Sequence, residues 1–268
     1  MIPFSPFTVT AMIFGPLGVL TFDKKLYELP GYRSPDCTYV LARDFVDRNF
    51  TLLADQNALT AVFPTTVVKI GENSKVYING NPESTELPYQ SGDRQITVVR
   101  EGPWVNITTK YGITISCQEE HFLCTIKMSS WYHGKTQGLL GTFDKEEHND
   151  MRKPDNTNAT TIIEFINAYE VSGHALCKIP VGGRNVLPTL TGTCDEPVSA
   201  KIQVCEDLFM SQSSDFAEAF NKISAGPFFA MCNHRARDCR DVCDIAHGYV
   251  SVCREEGVMI KHSTLCGK

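Results

Sequence analysis

The stretch Gly138-Leu139-Leu140-Gly141-Thr142-Phe143-Asp144, running on through Lys145-Glu146-Glu147-His148 to Asn149-Asp150, holds the residue types best suited to chemistry. Two glycines flank an apolar pair, and a turn rich in side-chain oxygen follows, the usual way in which a hard cation is enclosed. The bland reading of the same residues is a solvated acidic turn. Sulfur offers a second chemistry. The eleven cysteines are unevenly spread: Cys37, Cys117, Cys124 and Cys177 are sparse, whereas Cys194, Cys205, Cys232, Cys239, Cys243, Cys253 and Cys266 crowd together. That usage points to an oxidising compartment, where disulfides persist. Three Asn-x-Thr triplets, beginning at Asn49, Asn106 and Asn158, are candidate glycosylation sites and also favour a secreted glycoprotein.

Other chemistries find less support. The chain shows no Gly-x-Ser-x-Gly elbow, His-Glu-x-x-His helix, phosphate loop or dinucleotide fingerprint, and its seven histidines are scattered. No catalytic residue is assigned, and the expectation is that this is not an enzyme. The pairs Glu119-Glu120 and Glu146-Glu147 read as solvated charges rather than a general acid and base. Zinc at Cys117 and Cys124 would need two further ligands where only His121 is near, and zinc at Cys239 and Cys243 with His234 and His247 competes with a disulfide framework. A formal charge of −6 without a basic run argues against nucleic acid.

The elements that must position these residues are mostly strands. The 268 residues are 42% apolar, enough for a real core in one large or two modest domains. Thr8 to Phe14 reads as an incoming strand of a fragment from a longer secreted protein, because Pro3, Pro6, Gly15 and Pro16 interrupt an apolar helix and a basic leader is missing. No stretch is apolar for long enough to predict a transmembrane segment. Short β-branched or aromatic runs follow at Thr38–Arg43, Asn49–Ala54, Leu59–Phe63, Val67–Ile70, Lys75–Ile78, Gln95–Arg100, Val105–Thr109, Gly112–Cys117 and Phe122–Ser129. Asn79-Gly80 predicts a two-residue hairpin turn, since both residues tolerate positive φ. Such close spacing of antiparallel strands implies a sandwich or barrel-like pair of sheets. Cys117 and Cys124 bound a hairpin loop and could form a local cross-strand disulfide.

A helix is expected from Thr161 to about Val171, with Ile162, Ile163, Phe165, Ile166 and Tyr169 as its apolar stripe and Asn158 or Thr160 as its cap. The segment ends at Cys177, placed to tie back to Cys37. Residues Ile179 to Thr193 are rich in Gly, Pro and Thr and read as a linker. A second helix is expected over Asp241 to Glu256, stopped by Gly257.

Thr21-Phe22-Asp23, the run Cys37-Thr38-Tyr39-Val40-Leu41-Ala42-Arg43-Asp44-Phe45, the Gly138–Asp150 stretch, and Phe165–Tyr169 leading to Cys177 together resemble the von Willebrand factor type D domain. Leu29 to Arg33 and Asp44 to Thr51 look like the large invertebrate lipid transfer proteins: apolipophorin above all, with vitellogenin and crustacean clottable protein as relatives. The residues after the linker resemble the eight-cysteine module that commonly follows this domain, although the cysteine expected near Ala219-Phe220 is missing. The expected organisation is therefore a mainly β, antiparallel sandwich of the type D kind over 1–180, a linker over 181–193, and a small disulfide-rich helical module over 194–268.

The resemblance implies a calcium site. Asp144, Asn149 and Asp150 fall on positions that supply oxygen in calcium-binding relatives, Asp23 matches another acidic position, and a carbonyl near Glu146 would complete the shell. Multimer-forming members carry Cys-Gly-Leu-Cys-Gly where this chain has Gln137-Gly138-Leu139-Leu140-Gly141, so thiol exchange has no sulfur at that place. The eleventh cysteine should be free or bonded to another chain. The expected function is a structural and interaction module of a secreted, extracellular lipoprotein in a haemolymph-like circulation. Its partners would be other domains or subunits of the particle, a receptor, and lipid only indirectly. A clotting or multimerising protein and a yolk-storage protein are the alternatives.

Overall fold

The computed structural model describes residues 7–14, 18–29, 37–55, 58–71, 75–82, 87–118, 123–173, 177, 198–235, 239–260 and 266. The chain divides into two compact units, one of residues 1–12, 19–119 and 124–186, the other of residues 13–18, 120–123 and 187–268. Among the described residues, no helix is long and apolar enough to cross a membrane.

The fold is mostly β. One seven-stranded sheet has the order β15-β4-β5-β6-β7-β8-β9, built from Thr136–Gln137, Tyr39–Asp44, Thr51–Asp55, Ala58–Val62, Val67–Ile70, Val76–Ile78 and Asn81–Pro82 in that order. The other has eight strands, β10-β11-β12-β13-β14-β1-β2-β3, from Tyr89–Gln90, Ile96–Glu101, Trp104–Thr109, Ile113–Gln118, Leu123–Ser129, Thr8–Phe14, Gly18–Leu20 and Leu26–Glu28. Alternation dictates which face is buried. Leu52, Ala61 and Val68 sit side by side across β5, β6 and β7, and Val98, Ile107 and Ile115 do so across β11, β12 and β13; all six are fully buried. A slip of one residue would turn these rows to solvent, so the pattern fixes the register.

Turn chemistry agrees with the register. Asn79 and Gly80 hold φ of 52° and 82°, and Ile78 pairs with Asn81 across them. The Asn79 Oδ1 accepts the Val67 N–H at 2.8 Å, which pins this hairpin to the neighbouring strand. Strand β4 is different in kind. Tyr39, Val40, Leu41 and Ala42 are all buried, with a register shift between Val40 and Ala42. On its β15 side the backbone pairing continues, as Leu139 and Leu140 donate to the carbonyls of Val40 and Leu41 at 3.1 and 2.7 Å.

The helix α1, Ile162–Ala168, starts one residue later than expected, and its cap is Thr161, not Asn158 or Thr160. The Thr161 hydroxyl accepts the Glu164 N–H at 3.1 Å, while the Glu164 carboxylate reaches back to the Thr160 N–H at 2.9 Å. This is the capping-box logic moved by one residue.

In the second unit, helices α2 (Val198–Phe209), α3 (Gly226–Arg235) and α4 (Cys239–Glu255) gather around Tyr249. The rings of Phe209, Phe216 and Phe228 lie 5.9, 5.4 and 5.0 Å from its own, and its hydroxyl donates to the Ile223 carbonyl at 2.8 Å. Gly257, at φ 73°, ends α4 as a Schellman cap: its N–H donates to Arg254 and that of Val258 to Cys253.

Candidate functional site

The acidic turn follows from two glycines. Gly138 has φ 149°, and a Cβ there would lie 2.4 Å from the Leu41 carbonyl oxygen; Gly141 has φ 83°, and a Cβ there would lie 2.0 Å from Asp150 Oδ1. Neither position can carry a side chain without displacing a neighbour. The chain thus passes tight against β4 and then against a buried carboxylate.

Asp150 is 1% exposed. Its Oδ2 accepts the Thr21 hydroxyl at 2.5 Å and its Oδ1 accepts the Thr142 N–H at 3.1 Å. Thr21 begins the turn that bears Asp23, and the Phe22 N–H donates to the Leu140 carbonyl at 3.0 Å. Asp23 completes the bracing, because its two oxygens accept the N–H groups of Asp144 and Lys145 at 2.9 and 2.8 Å. Tyr27 adds a hydrogen bond from its hydroxyl to the Leu139 carbonyl. Residues over a hundred positions apart are therefore fastened at one place.

The remaining oxygens converge on Asn149. Its amide NH2 donates to Asp144 Oδ2 at 2.9 Å and Glu146 Oε2 at 3.3 Å, while its Oδ1 accepts the Thr142 hydroxyl at 2.6 Å. The Glu146 carbonyl accepts the Asn149 N–H at 3.1 Å. Burial pushes the Asp150 carboxyl up to about 6, against the Thr21 and Thr142 hydrogen bonds that lower it. Burial also raises Asp23, helped by the Asp144 carboxylate beside it. Arg152 stands 4.0 Å from Asp144 Oδ2.

The side-chain oxygens here are of the kind a hard cation takes, but the Asn149 NH2 occupies Asp144 Oδ2 and Glu146 Oε2, and among the described residues no three His, Cys, Asp or Glu side chains are grouped so that they could hold a metal ion. Asp23, Asp144, Glu146 and Asn149 are the residues that would hold it. Asp150 gives both oxygens to Thr21 and Thr142 in this structure, and Asp23 gives both of its own to the Asp144 and Lys145 N–H groups. Sequence reasoning missed Thr21, and also Asp44, which is 2% exposed and accepts the N–H groups of Val46, Asp47 and Asn49. An aspartate opening a turn was the available signal for Asp44; nothing local marks Thr21 as the partner of a residue 129 positions away.

The sulfurs pair as Cys37–Cys177, Cys117–Cys124, Cys205–Cys232 and Cys243–Cys266. Cys253, a disulfide candidate by sequence, is instead free. It is fully buried in α4, and burial pushes its thiol up to about 11. That thiol is neither a nucleophile nor a point of interchain linkage in the folded unit. Cys194 lies outside the described residues, as does the side chain of Cys239. Of the sequons, Asn158 is exposed; Asn106 is half-buried in β12 and donates to Glu101 Oε2 at 3.1 Å, and Asn49 is half-buried.

Comparison with known proteins adds a family and several relatives. The von Willebrand factor type D domain matches residues 11–157, more than half of the chain. Apolipophorins of Locusta migratoria are 29% identical across 97% of this chain, and Apolipophorins of Manduca sexta 26% across 91%. Human Mucin-2 is 24% identical across 94%. The chain spans only 8%, 7% and 5% of the length of these three relatives.

Proposed function

Because the chain belongs to the von Willebrand factor type D domain family, we propose that it is a non-enzymatic structural and interaction module of a secreted lipid-transport protein, with lipid carried mainly by other domains. The observation that carries this reading is the extent of the likeness to the locust apolipophorins, which covers 97% of the chain and so takes in both its sheet unit and its helical unit. Covalent closure supports it: a bridge across 140 positions in the first unit and two bridges in the second suit a protein that must stay folded outside the cell.

Antibody against the 268-residue chain should detect, in extracellular fluid of the source organism, a much longer polypeptide that bands at lipoprotein density. Recovery only from lipid-free fractions would sink the reading. The likeness to Mucin-2 favours a second one, a disulfide-linked multimer. Against it, Gln137 and Leu140 are buried and carry no sulfur, and the free Cys253 is enclosed.

The acidic turn is proposed as a calcium site that ties the start of the domain to its last turn through Asp23, Asp144, Glu146 and Asn149, next to the Asp150 anchor. Without a cation, the raised Asp23 and Asp150 carboxyls bind protons more tightly in the folded than in the unfolded chain. Their stabilising contribution is full below the unfolded carboxyl range and is lost as pH rises through each raised folded value, about 6 for Asp150. Calcium replaces the proton on Asp23, so the rise in melting temperature between chelator and excess calcium should be larger at neutral pH than in mild acid, and Asp144→Ala should abolish it. Identical melts with and without calcium at neutral pH would remove the site.

A further inference from the structure

The turn Asn79-Gly80, which closes β8 onto β9, is also a reactive pair, because a backbone nitrogen follows a side-chain amide with no side chain of its own to obstruct it. Both residues are exposed, and a Cβ added at Gly80 would meet nothing within 4 Å. Asn79 Oδ1 accepts the Val67 N–H at 2.8 Å. That bond polarises the amide carbon and places a donor at the oxygen on which charge gathers when the carbon is attacked. Asn79 Nδ2 and the Gly80 N–H meet no acceptor among the described residues, so leaving group and nucleophile both face water. We infer that Asn79 is a site of spontaneous deamidation, a mark that accumulates as the molecule ages.

The reaction needs only water. The Gly80 nitrogen bonds to Asn79 Cγ, the Cγ–Nδ2 bond breaks, and ammonia leaves with the proton that the nitrogen gives up, which closes a succinimide ring. Water then adds to either ring carbonyl carbon and the bond from that carbon to the Gly80 nitrogen breaks, giving aspartate or isoaspartate; nothing is oxidised or reduced. The fold withholds the same reaction elsewhere. The N–H groups that follow Asn149, Asn156 and Asn158 are already given to the Glu147 carbonyl, Asp155 Oδ1 and the Met151 carbonyl, at 3.4, 3.0 and 2.9 Å. Carboxylates hold the Nδ2 groups of Asn149 and Asn106, and Pro82 leaves Asn81 with no N–H beyond it. Isoaspartate carries the main chain through Cβ and Cγ and so lengthens it. A two-residue turn has no slack for the extra atom, so the pairing of Ile78 with Asn81 and the Asn79 bonds to Val67 are lost together. Strand β8 then becomes the outer strand of its sheet.

The 268-residue chain is aged in mildly alkaline buffer made with heavy-oxygen water, then digested and mapped by mass spectrometry. Heavy oxygen should enter residue 79 ahead of every other described asparagine, with isoaspartate as the major product. Asn79→Gln should reduce the label there to background, and Gly80→Ala, whose methyl has room in the fold but crowds the attacking nitrogen, should slow labelling about tenfold. Near-native melting of both variants shows that they fold. In urea, where the protecting bonds are gone, label at Asn149, Asn156 and Asn158 should rise. In the isoaspartate fraction the amides of Ile78 and Asn81 should exchange hydrogen faster, with those of β11 and β12 unchanged. A folded chain unlabelled at residue 79 when the urea-treated chain is labelled there overturns the proposal, since the turn then holds the pair out of reach. Equal labelling of Asn79 and Asn149 in the folded chain does so too.

Discussion

Cys37→Ser with Cys177→Ser is expected to lower stability by roughly 5 kcal/mol, and Cys117→Ser with Cys124→Ser by only about half of that. The difference follows from loop length. The first bridge spans 140 positions and the second spans 7, and closing the longer loop removes more freedom from the unfolded chain. Native packing decides how that loss appears. Cys37 leads into β4, Cys177 follows α1, and both are nearly fully buried. The Tyr39 hydroxyl donates to the Cys177 carbonyl at 3.1 Å, and the Val40 and Val171 N–H groups donate to Tyr169 and Thr38. These backbone links keep the segment near its place once the bridge is gone, so the loss should appear mainly as an earlier urea midpoint rather than as a new fold. Urea melts of the two double variants provide the measurement, and a larger loss from the short bridge would contradict the argument.

Gly141→Ala should cost roughly 3 kcal/mol or more, since it combines a left-handed backbone with a collision in a closed space. The collision is with Asp150, whose carboxylate is fixed by Thr21 and Thr142 and has nowhere to move. Gly134→Ala is the internal control. Gly134 has a similar φ of 69°, but a Cβ there would meet nothing within 4 Å, so only the backbone strain of about 1 kcal/mol is expected. Equal losses in the two variants would show that strain, not the buried carboxylate, makes Gly141 necessary. A further consequence separates them: only Gly141→Ala should also weaken the calcium response, because it shifts the anchor beside Asp23 and Asn149.

What the sequence reveals depends on how local each cause is. Val67–Ile70 and Thr8–Phe14 occupy the strands their patterns predict, because four or more alternating or β-branched residues carry the period by themselves. Asn79-Gly80 and Gly257 likewise announce their turns through a backbone that few other residues adopt. Strands β2, β3, β9, β10 and β15 have only two or three residues, too few for any period, and are strands only because a neighbour accepts them. The site divides in the same way. Oxygen-rich residues at 144–150 are visible as a group, but a buried aspartate and a solvated one are the same letter. The choice for Asp150 is made by Thr21, which lies 129 positions away in the chain.

The short strands have one more consequence. Among the described residues, the outer strands of the two sheets are β15, β9, β10 and β3, none longer than three residues, and β9 carries Pro82, which has no N–H to offer. An outer strand so brief gives an incoming strand almost no ladder to extend, and proline interrupts even that. The sheets are thereby protected against growing into fibrils.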